Sequence, residues 1–183
     1  MAQVRELKSI DQLDQYRLTW RRLFLETPRA TFFQTCEWLE VYWQHFAGDQ
    51  QLKVLVIQLA EETVGIVPLV VRRVPHRLAT LRTVSYPLDD WGTTYGPIGP
   101  HQTASLMMAM GHLATSPRDW DTLELRSISD ALDRGRTPRA MSLAGVPGVR
   151  SEYQGTSMIL LEGTWEDYLA SRDRKARHEI VRQ

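Results

Sequence analysis

Two adjacent carboxylates, Asp89 and Asp90, stand with the rings of Trp91 and Tyr95 in one stretch of the chain, and His101 follows shortly after. Carboxylates accept hydrogen bonds from an amine or a hydroxyl, an aromatic face stacks on a sugar or a cation, and an imidazole can take up a proton near neutral pH. Together these five residues are the candidate acceptor-binding group, with His101 placed to serve as a base, although no residue is assigned as the catalytic one. The same types have a plainer use, since carboxylates in a Pro/Gly-rich stretch cap turns and rings anchor loops. Near the end, Arg172, Arg174, Lys175, Arg177 and Arg182 outnumber Asp173 and Glu179. Lys175 and Arg177 are the candidates there to meet a phosphate or another anion, with a solvated helix face as the alternative.

Other chemistries lack their residues. Cys36 is the one cysteine; it stands in the first turn of a helix, but no pattern couples it to a histidine base, so it reads as a small packing residue. His45, His76, His112 and His178 have no metal-ligand spacing, and a lone cysteine cannot complete the common zinc sites, so no metal is expected. Neither a Gly-x-Ser-x-Gly elbow nor a Gly-x-x-x-x-Gly-Lys phosphate loop occurs.

The elements that must position these groups follow from periodicity. Residues 4–7 alternate as a short strand, and Ser9 with Gln12 forms a capping box for a helix running to about Leu25, whose Leu13, Tyr16, Trp20, Leu23 and Phe24 share one face. Thr35 caps a second helix with Leu39, Tyr42, Trp43 and Phe46 at helical spacing, an ordinary core face, and Gly48 lies past its end. Residues 52–59 and 64–71 read as a hairpin in which Pro68, lacking an N–H, belongs at an edge, bulge or kink. A strand over 79–85 leads to a punctuated loop over 86–100, long enough to be either functional or poorly ordered. A helix over 102–114, a strand over 122–126, a helix from Ser129 towards Ala144, and a strand pair at 149–153 and 157–161 follow. Thr164 and Asp167 then cap a last helix with no visible stop. The order is mixed-sheet α/β.

Composition sets the outer limits. In 183 residues, 43% are hydrophobic and 24% charged, which suits a folded chain of one large domain, or one domain and part of another. Lysine and arginine number 22 against 22 aspartates and glutamates, so no net field recruits a polyanion, and nucleic acid is not expected as a partner. The opening residues lack the apolar run of a signal peptide, and the longest apolar stretch, 64–71, falls far short of the roughly 20 residues that cross a bilayer. No membrane span and a cytoplasmic location are the expectations.

The segments Phe33-Gln34-Thr35-Cys36-Glu37-Trp38-Leu39-Glu40-Val41-Tyr42-Trp43, Leu52-Lys53-Val54-Leu55-Val56, Val64-Gly65-Ile66-Val67-Pro68-Leu69 and Trp120-Asp121-Thr122-Leu123-Glu124-Leu125-Arg126, in this order, resemble the N-terminal half of the CelD-type, FemAB-like branch of the GNAT acyl-CoA N-acyltransferase superfamily. The run Thr164-Trp165-Glu166-Asp167-Tyr168-Leu169-Ala170-Ser171 with Lys175-Ala176-Arg177 is similar to the opening of that family's second domain. The resemblance implies a GNAT-like domain over 1–150 and the first strand and helix of a second over 151–183. The helix reaching Gln183 reads as truncated, with its Trp165, Tyr168, Leu169, Ala176 and Ile180 awaiting the missing second domain.

The resemblance further implies transfer of an acetyl or other acyl group from acyl-CoA to an amine or hydroxyl on a small molecule or an envelope polysaccharide precursor. The chemistry would lie chiefly in the second domain, with Lys175 and Arg177 near the CoA phosphates. A non-catalytic binding or scaffold domain is the alternative, and aminoacyl transfer from a charged tRNA, which the FemAB likeness also allows, is disfavoured by the balanced charge. The superfamily holds the CoA pyrophosphate on backbone N–H groups at a helix start. Here Gly96-Pro97-Ile98-Gly99-Pro100-His101 has the position but not the spacing, and its two prolines supply no N–H. The chain alone is therefore not expected to bind the cofactor.

Overall fold

The computed structural model describes residues 2–88, 92, 94–152 and 163–181. The chain divides into two compact units, Met1–Arg150 and Ser151–Gln183.

In the first unit, strands β1 (Ala2–Leu7), β2 (Gln51–Leu59), β3 (Glu62–Pro75), β4 (Thr80–Ser85) and β5 (Thr122–Leu123) form one sheet in that spatial order. Every neighbouring pair is antiparallel except β4 and β5, which run parallel with Thr83 opposite Thr122 and Val84 opposite Leu123. The fold is mixed α/β. Both faces of β2 are buried from Leu52 to Ile57, so its sequence is a nearly unbroken apolar run in which Lys53 stands out. The hairpin to β3 closes through Ala60 (φ 48°) and Glu61 (φ 73°), the left-handed pair that matches strand twist, adopted here without glycine.

Pro68 lies inside β3, in register with Val54, and not at a bulge or edge. Alternation turns its nitrogen to the same side as Ile66 and Val70, between the isolated bridge from Ile66 to Ile98 and the first β4 pair, Val70 with Ser85. Among the described residues no ladder partner stands opposite that nitrogen, so the missing N–H breaks no described pairing.

The expected first helix is a seven-residue 3₁₀ winding, Ile10–Tyr16, that passes into α1 (Arg17–Glu26). Three residues per turn align Leu13 with Tyr16 on the buried side, while the Gln12 side chain accepts from the Lys8 and Ser9 N–H groups at 2.8 and 3.1 Å. Helix α2 (Cys36–Phe46) starts where the Thr35 hydroxyl accepts from the Trp38 N–H at 3.1 Å, and it buries Leu39 and Tyr42 as its spacing requires. Helix α3 (Gln102–Thr115) lies close on β3, because a Cβ at Gly65 would stand 2.1 Å from Ser105 Oγ.

Three expected elements differ. The strand over 122–126 pairs for only two residues, because β4 ends at Ser85 and offers the segment one further bond, Glu124 N–H to Val84 O at 2.8 Å. The helix from Ser129 is broken into α4 (Asp130–Asp133) and α5 (Arg136–Leu143) by Arg134 and Gly135, both left-handed. Asp133 starts α5 by accepting from the Thr137 N–H at 3.0 Å and the Thr137 hydroxyl at 2.7 Å. Residues 149–152 form no strand, and positions 153 and 157–161 of the expected pair lie outside the described residues.

In the second unit, Thr164 and Asp167 form the expected capping box, at 3.2 Å to the Asp167 N–H and 2.9 Å from the Thr164 N–H. The helix they open, α6 (Trp165–Ala170), stops, and α7 (Arg174–Val181) begins again where Asp173 accepts from the Ala176 N–H at 2.8 Å. Two helices therefore replace the expected single one. Among the described residues no helix is long and apolar enough to cross a membrane.

Candidate functional site

Because β4 and β5 run parallel, their carboxyl ends lie side by side, the position at which open α/β sheets bind ligands. Beyond Ser85 and Leu123 the two chains part. The gap is closed by the protein itself, for the Tyr95 N–H donates to the Ser127 carbonyl at 2.9 Å. Beside this bond, among the described residues, lies a recess of about 20 Å³, room for a water molecule, lined by Gln34, Tyr95, Gln102, Ser129, Asp133 and Arg136 among others.

Each polar wall is held by another. Gln34 Nε2 donates to the Gly96 and Pro97 carbonyls at 3.2 and 3.1 Å, and Gln102 Nε2 donates to the same Pro97 carbonyl at 2.9 Å. Arg136 donates to Gln102 Oε1 and pairs with Asp133 at 3.3 Å. Asp133 is buried, so this pairing and its Thr137 bonds are what permit a carboxylate there. The Tyr86 and Tyr95 rings lie 5.0 Å apart, both buried, and burial pushes both phenols well above the ordinary value. Among the described residues neither phenol nor Ser85 Oγ has a hydrogen-bond partner.

The residues proposed from sequence fare differently. Tyr95 lines the recess, only 3% exposed, with its ring packed on Tyr86. Asp89, Asp90 and Trp91 lie outside the described residues. His101 is exposed at the start of α3 and makes no side-chain capping bond. Lys175 and Arg177 are exposed on α7 of the second unit. Within the described part of the 86–100 loop, Tyr86 to Leu88 and Tyr95 to Gly99 are buried, while Gly92 and Thr94 are half-buried and Pro100 is exposed. Gln34, Gln102, Asp133 and Arg136 were not anticipated; only the Thr31-x-x-Gln34 capping-box spacing hinted that Gln34 had a fixed role.

The entry to α3 does not fit a pyrophosphate cradle. The Gly99 N–H donates to Thr27 Oγ1 at 2.7 Å and the Ile98 N–H to the Ile66 carbonyl at 2.8 Å, while Pro97 and Pro100 have none to offer. Gly99 adopts φ +119°, and a Cβ there would stand 2.8 Å from the Val64 carbonyl, so the segment is built to lie against β3. Cys36 is buried, with its thiol pushed up to about 12 by burial and then by Glu40, which makes it a packing group and not a nucleophile. Among the described residues no three ligating side chains come together as a metal site.

No family model matches the chain, and no curated protein matches it. Among solved structures it is similar to an integron cassette protein from the mobile metagenome of V. cholerae, at 14% identity and a TM-score of 0.42 over 93% of this chain and 98% of that one. It is also similar to a ribosomal-protein-alanine N-acetyltransferase from Brucella melitensis biovar Abortus 2308, at 14% identity and a TM-score of 0.39 over 87% of this chain and 100% of that one. At that overlap neither likeness bears on what this chain does.

Proposed function

We propose that the first unit is the N-terminal GNAT-like domain of a CelD-type, FemAB-like acyltransferase and serves it without an acyl-CoA cradle of its own. The observation that carries this reading is the loop leading into α3, where the Gly99 and Ile98 amides are engaged by Thr27 and Ile66 and Pro97 and Pro100 have none to offer. The sequence resemblance and the element order support the family. A second GNAT-like domain, opening within residues 151–183, would supply the acyl-CoA site, with Lys175 and Arg177 toward the CoA phosphates. The whole protein, in the cytoplasm, would move an acetyl or other acyl group to an amine or hydroxyl on a small molecule or an envelope polysaccharide precursor. The wall facing that acceptor would come from Asp89, Asp90, Trp91, Tyr95 and His101.

A calorimetric titration of acetyl-CoA into the 183-residue chain is expected to show no saturable binding, or weak binding that Lys175→Ala with Arg177→Ala removes. Saturable binding that survives this double substitution places a cofactor site in the first unit and overturns the reading. The second reading, a binding or scaffold domain, draws on the small size of the recess between the strand ends. It is separated from the first by offering labelled acetyl-CoA and a hexosamine to the native gene product, where label transfer excludes it.

A further inference from the structure

Strands β2, β4 and β5 all run in one direction, because β3 lies antiparallel between β2 and β4. The amino ends of β2 and β5 therefore lie at the same end of the sheet, opposite the recess. A cavity of about 290 Å³ opens there, walled by Glu6, Trp43, Gln50, Gln51, Leu52 and Asp119. This is close to the lower bound, roughly 300 Å³, of pockets that hold small molecules.

Its electrostatics are set by Lys53, whose side chain is only 6% exposed. Lys53 Nζ donates to Glu6 Oε1 at 2.8 Å and to Asp119 Oδ2 at 2.9 Å. Lys8, also on the cavity wall, stands 3.7 Å from Glu6, and His112 Nε2 lies 3.5 Å from the other Glu6 oxygen. The two carboxylates of the wall are thus paired, both with the buried Lys53 and Glu6 also with Lys8, and they leave the wall rich in acceptor oxygens. Asp119 Oδ1 is covered and without a partner among the described residues. Gln50 is fixed by accepting from the Tyr42 hydroxyl at 2.9 Å and donating to the Phe46 carbonyl at 2.6 Å. Gln51 is exposed, and Trp43 offers a partly exposed ring.

We propose that this cavity binds the ring of a neutral sugar. An indole face covers the apolar C–H side of such a ring, carboxylate oxygens accept from its hydroxyls, and amide groups both give and accept. A cationic amine finds the carboxylates already paired, and an anion finds the two lysines already engaged by them. The inference stands apart from the acyltransferase reading, since none of these groups belongs to the recess or to the α3 entry.

The test is a saturation-transfer NMR and calorimetric titration of the 183-residue chain with methyl α-D-glucopyranoside, methyl α-D-galactopyranoside, glucosamine and glucuronate. At least one neutral glycoside is expected to bind saturably, with Kd on the order of millimolar, and to shift the Trp43 indole resonance. Trp43→Ala and Asp119→Ala should each weaken it about tenfold, the weight of one ring or charged hydrogen-bond contact. Gln51→Ala, at an exposed position, gives a variant whose folding is not at risk and should weaken it measurably. Absence of saturable binding by wild-type protein to both neutral glycosides overturns the proposal. So does neutral-sugar binding indifferent to Trp43→Ala and Gln51→Ala, or tighter binding of glucosamine or glucuronate.

Discussion

The amide of Tyr95 donates to the carbonyl of Ser127 at 2.9 Å, which ties the segment after β4 to the segment after β5 just where the two parallel strands stop pairing. One backbone bond thereby closes the crevice that parallel strand ends would otherwise leave, and it carries the Tyr95 ring inward onto Tyr86. Among the described residues the two phenol hydroxyls in this interior have no hydrogen-bond partner.

Replacing Tyr95 by phenylalanine removes one of those hydroxyls and keeps the ring. An unsatisfied buried hydroxyl costs about 1–3 kcal/mol, so Tyr95→Phe is expected to leave stability unchanged or raise it by roughly 1 kcal/mol, read from urea unfolding midpoints. A loss of more than that would mean the hydroxyl is satisfied in solution by an ordered water or a ligand.

Lys53 is held by Glu6 and Asp119 from opposite directions in sequence. Lys53→Met leaves Asp119 without its cation and Glu6 with Lys8 at 3.7 Å, and should destabilise the fold by about 2–4 kcal/mol, below the full cost of a sealed pair because Asp119 is partly exposed. Burial alone would lower the Lys53 ammonium's pKa, but the bonds to Glu6 and Asp119 outweigh it and hold it above the usual 10.5. Folding raises this pKa, so the stabilisation is complete below pH 10.5 and is lost as pH climbs through the folded value. The stability gap between wild type and Lys53→Met should accordingly narrow as pH rises, in unfolding curves taken from pH 8 to pH 11.

Two glycines should respond oppositely to alanine. Gly99→Ala places a Cβ 2.8 Å from the Val64 carbonyl at a φ of +119°, and a loss of about 2–4 kcal/mol is expected. Gly111→Ala adds a methyl in the middle of α3, where nothing lies within 4 Å, and should raise stability by up to about 1 kcal/mol. Thermal unfolding of the two variants side by side checks both signs.

The helix faces and caps were legible in the chain itself. Leu13, Tyr16, Trp20 and Leu23, then Leu39 and Tyr42, are buried as their spacing dictates, and Thr35 and the Thr164 and Asp167 pair start their helices. These are contests between a residue and neighbours three or four positions away, and such contests are settled by local side-chain chemistry. Strands β2, β3 and β4 were equally plain, because β-branched runs between turn residues have few other uses.

Tertiary structure decided the rest. Whether 122–126 forms five residues of strand or two depended on where β4 ends. Pro68 fits a regular register because, among the described residues, no partner stands opposite its nitrogen. The polar recess joins Gln34 to Gly96, 62 residues apart, and Arg136 to Gln102, 34 apart. The second cavity joins Lys53 to Glu6 across 47 residues and to Asp119 across 66. A side chain's spacing records which face it shares with its own turn or strand. Its partner from a distant segment is chosen only when the sheet brings both backbones into place, because a hydrogen bond or ion pair forms over about 3 Å and nothing in local periodicity specifies that distance.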